Sequence, residues 1–286
     1  MTAAIDFGIS NTDAVARVDG VVRRWSRATV GLPSHDSVRE ILAAGGVDLA
    51  GLESLAVTGG QHRTLPVLLG ATSVVGVPEI AAIGRGGQAL AIPDGEDPST
   101  PILVVSAGSG TAVIAARGDQ YVHVTGSGVG GGSLLGLGRL LLGTTDARAI
   151  DAMAWRGDAN GADLALRDVV CGPIGALPPD ATAVNFGRLA RQETPAHPDD
   201  LAAALMTLVG QVIAITAINA ARAQQIDRIV VIGHMADMPS FRRVITLVGK
   251  YYDTELLQPE HAGFGTALGA MLHVAGAPLD GRTRPS

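Results

Sequence analysis

The feature that most constrains this chain is the run Thr125-Gly126-Ser127-Gly128-Val129-Gly130-Gly131-Gly132-Ser133-Leu134-Leu135-Gly136-Leu137-Gly138. Glycine at this density removes Cβ atoms, so the backbone can take positive φ values and come close to a ligand. Where such a loop opens a helix, its free N–H groups and the helix dipole favour an anion, usually phosphate. The alternative is a flexible linker. Linkers, however, are polar Gly/Ser tracts, and this run lies between Tyr121-Val122-His123-Val124 and Leu140-Leu141-Leu142.

A chain of 286 residues can form one large domain or two lobes with sizeable cores. With 47% hydrophobic and 17% charged residues, the composition is that of a folded protein rather than a disordered one. Aromatics make up only 3%, so Ala, Val, Ile and Leu must build the core. A net charge of -6 and the lack of a basic run argue against nucleic acid as the main partner. The single cysteine, Cys171, excludes an intrachain disulfide framework and a multi-Cys zinc site, and is expected to be a buried structural thiol. No window is expected to reach the roughly 18 apolar residues of a membrane span. The start, Ala3-Ala4-Ile5-Asp6, lacks the basic and apolar regions of a signal peptide. No membrane partner and a cytoplasmic location are therefore expected.

Taken in order, residues 3–5 read as a buried strand ending at Asp6, followed by Gly8, Ser10 and Asn11 and a second strand from Ala14 to Val18. An acidic strand end with such a turn could hold a metal ion and a phosphate; equally, these are the residues any hairpin turn uses. A further strand follows at 21–25, a helix at 37–44 and a strand at 52–57 that ends in Thr58-Gly59-Gly60. Strand ends in open α/β sheets are where ligands sit. Gln61, His62 and Arg63 are accordingly either site residues or a solvated loop. A strand at 72–77 stops at Pro78, and Glu79 opens a helix. There it either complements the helix dipole or serves as a general base at the strand-to-helix corner.

The stretch 92–101 is rich in Pro, Asp and Gly and marks an expected boundary between a lobe at 1–98 and a lobe at 99–286. A strand at 102–105 then runs into Ser106-Ala107-Gly108-Ser109-Gly110-Thr111, and a hairpin joins 112–115 to 121–124. The second half thus opens as the first did, strand, small-residue turn, strand. Helices are expected at 134–142, 146–156, 162–169, 201–223, 241–248 and 264–274, with strands at 226–232 and 254–257; the former strand ends in Gly233-His234.

The ordered motifs Ile5-Asp6-x-Gly8, Thr58-Gly59-Gly60, the Glu79 corner, Gly108-Ser109-Gly110-Thr111, Gly128-x-Gly130-Gly131-Gly132-x-x-x-Gly136-Leu137-Gly138, Asn185-Phe186-Gly187 and Ile232-Gly233 run nearly end to end. Together they resemble the actin-like ATPase superfamily, and within it the type II pantothenate kinases. The resemblance implies an α/β fold of two RNase H-like lobes, ATP and Mg²⁺ in the cleft between them, a homodimer, and phosphorylation of the terminal hydroxyl of pantothenate. It implies Glu79 as the base that takes the hydroxyl proton. Asp6, Gly8, Ser10 and Asn11 would form the first phosphate turn, with Asp6 holding Mg²⁺ through ATP. Ser109, Gly110, Thr111, Gly130, Gly131, Gly132, Ser133 and Leu134 would hold phosphates and ribose, with Gly233 and His234 near the adenosine. His123, Thr125 and Gly126 would face the acceptor.

Two departures bear on activity. The family's first turn reads Asp-x-Gly-Gly-Thr-x-x-Lys, whereas this chain has Ile9 for the second glycine, Ser10 for the threonine and Asp13 for the lysine. An aspartate there would repel a triphosphate, and the only lysine in the chain is Lys250; an arginine such as Arg63 or Arg85 would have to compensate. His123 stands where the family carries the arginine that grips the pantothenate carboxylate, and neutral histidine is a weaker clamp than a bidentate guanidinium. These departures keep open a catalytically silent regulator that binds nucleotide or acyl-CoA on the same scaffold. An activator ATPase of the superfamily is a third reading, without the iron–sulfur cysteines that some of those use.

Overall fold

The computed structural model describes residues 1–92, 96–97, 99–170, 174–175, 177–191 and 193–276. The first half begins with an antiparallel meander, β1 (Thr2–Phe7), β2 (Asn11–Val18) and β3 (Val21–Ala28). Helix α1 (His35–Ala44) follows, then β4 (Ser54–Thr58), β5 (Leu68–Leu69), β6 (Thr72–Gly76) and α2 (Glu79–Ala91). Strand β4 returns parallel to β1, β6 lies parallel to β4, and the sheet order is β3-β2-β1-β4-β6-β5. Ser34 starts α1 with a capping box. That places Val38, Ile41 and Leu42, spaced for one helix face, over Ile5, Leu55 and Val57 in a closed apolar cluster.

The second half repeats the plan. Strands β7 (Ile102–Ala107), β8 (Thr111–Arg117) and β9 (Gln120–Ser127) form another antiparallel meander. Then come α3 (Gly131–Leu142), α4 (Ala147–Arg156), β10 (Leu164–Ala165), α5 (Leu166–Val169), β11 (Thr182–Val184) and α6 (Pro198–Gln224). Strand β12 (Arg228–Ile232), α7 (Pro239–Tyr251), β13 (Leu256–Leu257) and α8 (Gly265–Ala275) complete it. Read from the β9 edge, the second sheet is β9-β8-β7-β12-β13, the same order as β3-β2-β1-β4-β6 with the same strand senses. The echo of two strand–turn–strand openings in the sequence is therefore a repeated topology.

The halves are joined by exchanged helices. Helix α2 puts Ile83 against Ile102, Val104, Ile114 and Val230 of the second sheet. Helix α8, from the far end of the chain, packs Ala267, Ala270 and Met271 on Ala4, Val15 and Ala56 of the first. The two helices cross backbone to backbone: a Cβ on Gly86 would overlap the Gly265 carbonyl, and one on Gly269 would overlap the Ala82 carbonyl.

Several expectations are corrected. Residues 162–169 are not one helix but the two-residue strand β10 and the single turn α5. The cause is Asp163, fully buried, whose carboxylate accepts the Phe186 N–H at 2.7 Å and the Thr182 hydroxyl at 3.0 Å. Those bonds pin β10 against β11 and hold the Asn185-Phe186-Gly187 turn, where Phe186 has φ 56°. The last strand covers only 256–257 of the expected 254–257. Helix α6 is long and apolar enough to cross a membrane by length and composition, contrary to expectation; 61% of its apolar window is buried inside the protein, as a core helix requires. Cys171, expected as a buried thiol, lies outside the described residues, as do 93–95 and 98 of the expected boundary loop.

Candidate active site

The carboxyl ends of β1, β4 and β6 meet at one edge of the first sheet, and the turn after β7 faces them from the second. Asp6, near the end of β1, stands opposite Asp13 of β2 in the antiparallel register. Burial, and after it the charges of Asp13 and Glu79, push its carboxyl up to about 8, while His234 pulls the other way. Gly59, with φ 91°, lets the end of β4 close over this residue, since a Cβ there would press on Asp6 Oδ1 and the Phe7 carbonyl. A desolvated carboxylate with like charges beside it is a poor resting state for protein alone and a good one for a divalent cation. Among the described residues no cluster of three or more His, Cys, Asp and Glu side chains has metal-binding geometry. The donor set therefore fits an Mg²⁺ ion that arrives with a nucleotide rather than a protein-only cage.

The turn between β1 and β2, expected to bind phosphate, is a tight hairpin tip. Gly8 has the Asn11 carbonyl where a Cβ would go. The Thr29 hydroxyl donates to the Gly8 carbonyl at 2.8 Å, and its oxygen lies 3.0 Å from the Thr12 hydroxyl. Asn11 opens β2, while Ile9 projects from the tip 86% exposed. Glu79 is the first residue of α2, exposed, and near enough to Asp6 to raise its pKa. Helix α2 runs along β9. Tyr121 fits against Gly84 and its hydroxyl donates to Gln88 Oε1 at 3.1 Å. His123 is exposed and lies against Gly126 beside a bulge in β9. His62 turns its Nδ1 onto the Gly59 carbonyl at 2.6 Å, while Gln61 and Arg63 are exposed beside it.

The glycine run does something other than expected. None of Gly126, Gly128, Gly130, Gly131 and Gly132 is among the residues with positive φ. These positions are glycine for close approach instead: Cβ atoms on Gly130 and Gly132 would stand 2.8 and 2.9 Å from the Ser109 carbonyl. The N–H groups of Gly131 and Gly132 are not left for a ligand either. They donate to the carbonyls of Gly108 and Ser109, each at 2.8 Å, while the Thr111 hydroxyl donates to the Val129 carbonyl at 2.7 Å. Loop and turn thus form one docked unit. Leu134, 1% exposed, belongs to the core under the second sheet, so its side chain faces away from the cleft. Ser109, Gly110 and Ser133 remain on the surface of the unit; the Ser133 hydroxyl bonds the Gly128 carbonyl at 3.1 Å.

The contact that sequence reasoning missed is made by His234. It was expected near the adenosine, and the structure also brings it against the first half of the chain, with Nε2 2.8 Å from Asp13 Oδ1 of β2. Burial works against its charge, but the Asp13 hydrogen bond and the fields of Asp13, Asp237 and Asp6 raise its pKa above the ordinary value. The buried Asp13 carboxylate therefore has an imidazole partner whose protonated form it favours, supplied from 221 residues away. No local pattern marks that pairing. Of the two arginines considered for the role, Arg85 interacts with Tyr121 on the β9 side of α2.

The family model described as Fumble matches residues 88–273. A type II pantothenate kinase from Oceanobacillus iheyensis is 31% identical over 223 residues, covering 77% of this chain and 81% of that protein. Another, from Bacillus cereus, is 28% identical over 227 residues, covering 79% and 82%. Among solved structures, the activator of the 2-hydroxyisocaproyl-CoA dehydratase from Clostridium difficile with bound ADPNP superposes with a TM-score of 0.62 at 14% identity, covering 95% of this chain and 93% of that one. A ROK family glucokinase from Streptomyces griseus in complex with glucose and AMPPNP gives 0.58 at 12% identity, covering 94% and 97%. At such identities the likeness is one of fold, that of the two-lobed actin-like ATPases.

Proposed function

The chain belongs to the Fumble family, that of the type II pantothenate kinases, and on that premise we propose that it is an ATP-dependent kinase acting on the primary hydroxyl of pantothenate or a related small hydroxy compound. The observation that carries the reading is the convergence of Asp6, near the end of β1, and Glu79, at the start of α2, opposite a docked pair of glycine turns. Bound as its Mg²⁺ complex, ATP would supply the transferable phosphoryl group. Asp6 would hold the metal, whose positive charge would compensate the buried carboxylate and displace its proton. Ser10, Asn11 and Ser109 present hydroxyl and amide groups to phosphate oxygens, so the phosphate is positioned in line rather than activated covalently. Glu79 accepts the acceptor's proton at its carboxylate, which requires an approach of about 2.6–3.2 Å or one intervening water. His123, with Thr125 and Gly126, faces the remainder of the acceptor, and its weaker grip on a carboxylate widens the range of acceptors beyond pantothenate. The protein works as a homodimer in this account.

Coupled assays of ADP release over pantothenate and related hydroxy acids test the proposal. Turnover with at least one acceptor, lost in Glu79→Ala, is expected; no turnover with any would overturn it. A second reading, a silent regulator that binds nucleotide or acyl-CoA, is favoured by Asp13 at the lysine position and by the exposed Ile9. Titration calorimetry separates the two, because tight acyl-CoA binding without Mg²⁺-ATP binding would select the regulator.

A further inference from the structure

Two contacts cross the mouth of the cleft from one half of the chain to the other. Ser10 Oγ lies 2.9 Å from Ser109 Oγ, joining the first hairpin tip to the turn after β7. His234 Nε2 lies 2.8 Å from Asp13 Oδ1, joining the segment after β12 to β2. The second pair is held firmly on both sides. The Asp13 side chain is 8% exposed and sits inside the β1–β2 ladder. The His234 ring has Asp237 Oδ2 3.7 Å from its Nδ1 and meets Phe264 edge-on, with centroids 5.7 Å apart. Gly263 leaves the space the ring fills, since a Cβ there would overlap both the ring and Asp237; the Gly263 N–H in turn holds Asp237 at 3.1 Å. Gly233, at φ 96°, packs its backbone directly on Ala107 and fixes where the segment leaves the sheet. At the other end of the same interface, α2 and α8 cross with no side chain between them.

We propose that Asp13 and His234 form a clasp between the two halves that sets the separation of the two phosphate turns, making both of them positioning residues for nucleotide phosphates. Each half holds its own member, so the bond between them fixes the spacing of the halves at the mouth while the α2–α8 crossing fixes it at the base. At the observed spacing the Ser10 and Ser109 hydroxyls touch. A phosphate oxygen bonded to both needs them about 4.5 Å apart, from ordinary hydrogen-bond lengths and angles. Entry of a phosphate between the turns therefore strains the clasp, which limits how far the turns part. The naming of phosphates rests on the proposed kinase reading; the clasp does not.

The test measures the distance between spin labels carried on unnatural residues at Val30 and Leu140, 84% and 80% exposed, in the full chain without nucleotide. Asp13→Ala and His234→Ala are each expected to lengthen and broaden the distance distribution, and the double variant to go no further than either single. An unchanged distribution in both singles, or shifts that simply add, would overturn the clasp. Because the two substitutions lie in different halves, a folding defect in one, read from its circular dichroism, leaves the other as the deciding measurement. Adding Mg²⁺-ATP to the unsubstituted protein reads the positioning role. A lengthened distance supports it, and binding at unchanged distance contradicts it. Failure to bind counts against the kinase reading, and the nucleotide-free result still decides the clasp.

Discussion

Asp6 bears the largest electrostatic cost in the site, and that cost makes stability depend on pH. The folded protein keeps its carboxyl protonated up to about 8, against 3.8 for the ordinary group. Between those values the native state binds more protons than the unfolded chain, so stability falls as pH rises, by at most about 1.4 kcal/mol per pH unit. His234 acts in the same direction: its stabilising contribution is full below the ordinary 6.5 and is lost as pH climbs through its raised folded value. The melting temperature of the nucleotide-free protein should drop from about pH 5 to pH 8, and Asp6→Asn should flatten most of that slope. A slope unchanged in the variant would remove Asp6 as its source. At the acceptor side, His123→Arg restores a bidentate carboxylate partner. It should lower KM for pantothenate by about tenfold or more, the worth of one charge-assisted hydrogen bond. An unchanged KM would take His123 out of the acceptor site. Asp6, Glu79 and the small-residue turns were legible in the sequence because each is announced by its own neighbours, a strand end followed by a turn or a helix start. The burial of Leu134 and the pairing of Asp13 with His234 were not, because a motif gives spacing along the chain but not the direction of a side chain or a partner in the other half.

Most strands and helices were legible at the scale of elements, since their apolar spacing agrees with what they bury. The segment at 162–169 misled because Asp163, a polar residue in an apolar run, is satisfied by Thr182 and the Phe186 N–H, 19 and 23 residues downstream. The glycine run misled in another way. Its composition suggested backbone freedom and free N–H groups, but those groups bond the neighbouring turn and the missing Cβ atoms make room for it. Glycine in α2 and α8 has a similar meaning. Gly86→Ala or Gly269→Ala would drive a methyl into the facing carbonyl and should cost about 1–3 kcal/mol or more, as overpacking does. Urea denaturation of the single variants measures this, and a loss below about 0.5 kcal/mol, within the range of ordinary surface changes, would mean that the crossing is looser than described.

Across the whole molecule, one topology used twice brings two similar turns face to face, and the exchanged helices α2 and α8 tie the sheets together behind them. A ligand that contacts both turns should therefore stabilise the entire fold. Mg²⁺-ATP at a hundred times its Kd should add about 2.7 kcal/mol, and a melting temperature that ignores saturating nucleotide would contradict a nucleotide cleft. The central claim is phosphoryl transfer that depends on Glu79. The most direct measurement follows labelled γ-phosphate from ATP onto pantothenate with the unsubstituted protein and with Glu79→Gln, nucleotide affinity being measured alongside. The account predicts transfer by the former, a loss of about 10²–10⁴-fold in kcat for the latter, and near-equal nucleotide affinity in both. Transfer that survives the substitution intact would contradict it.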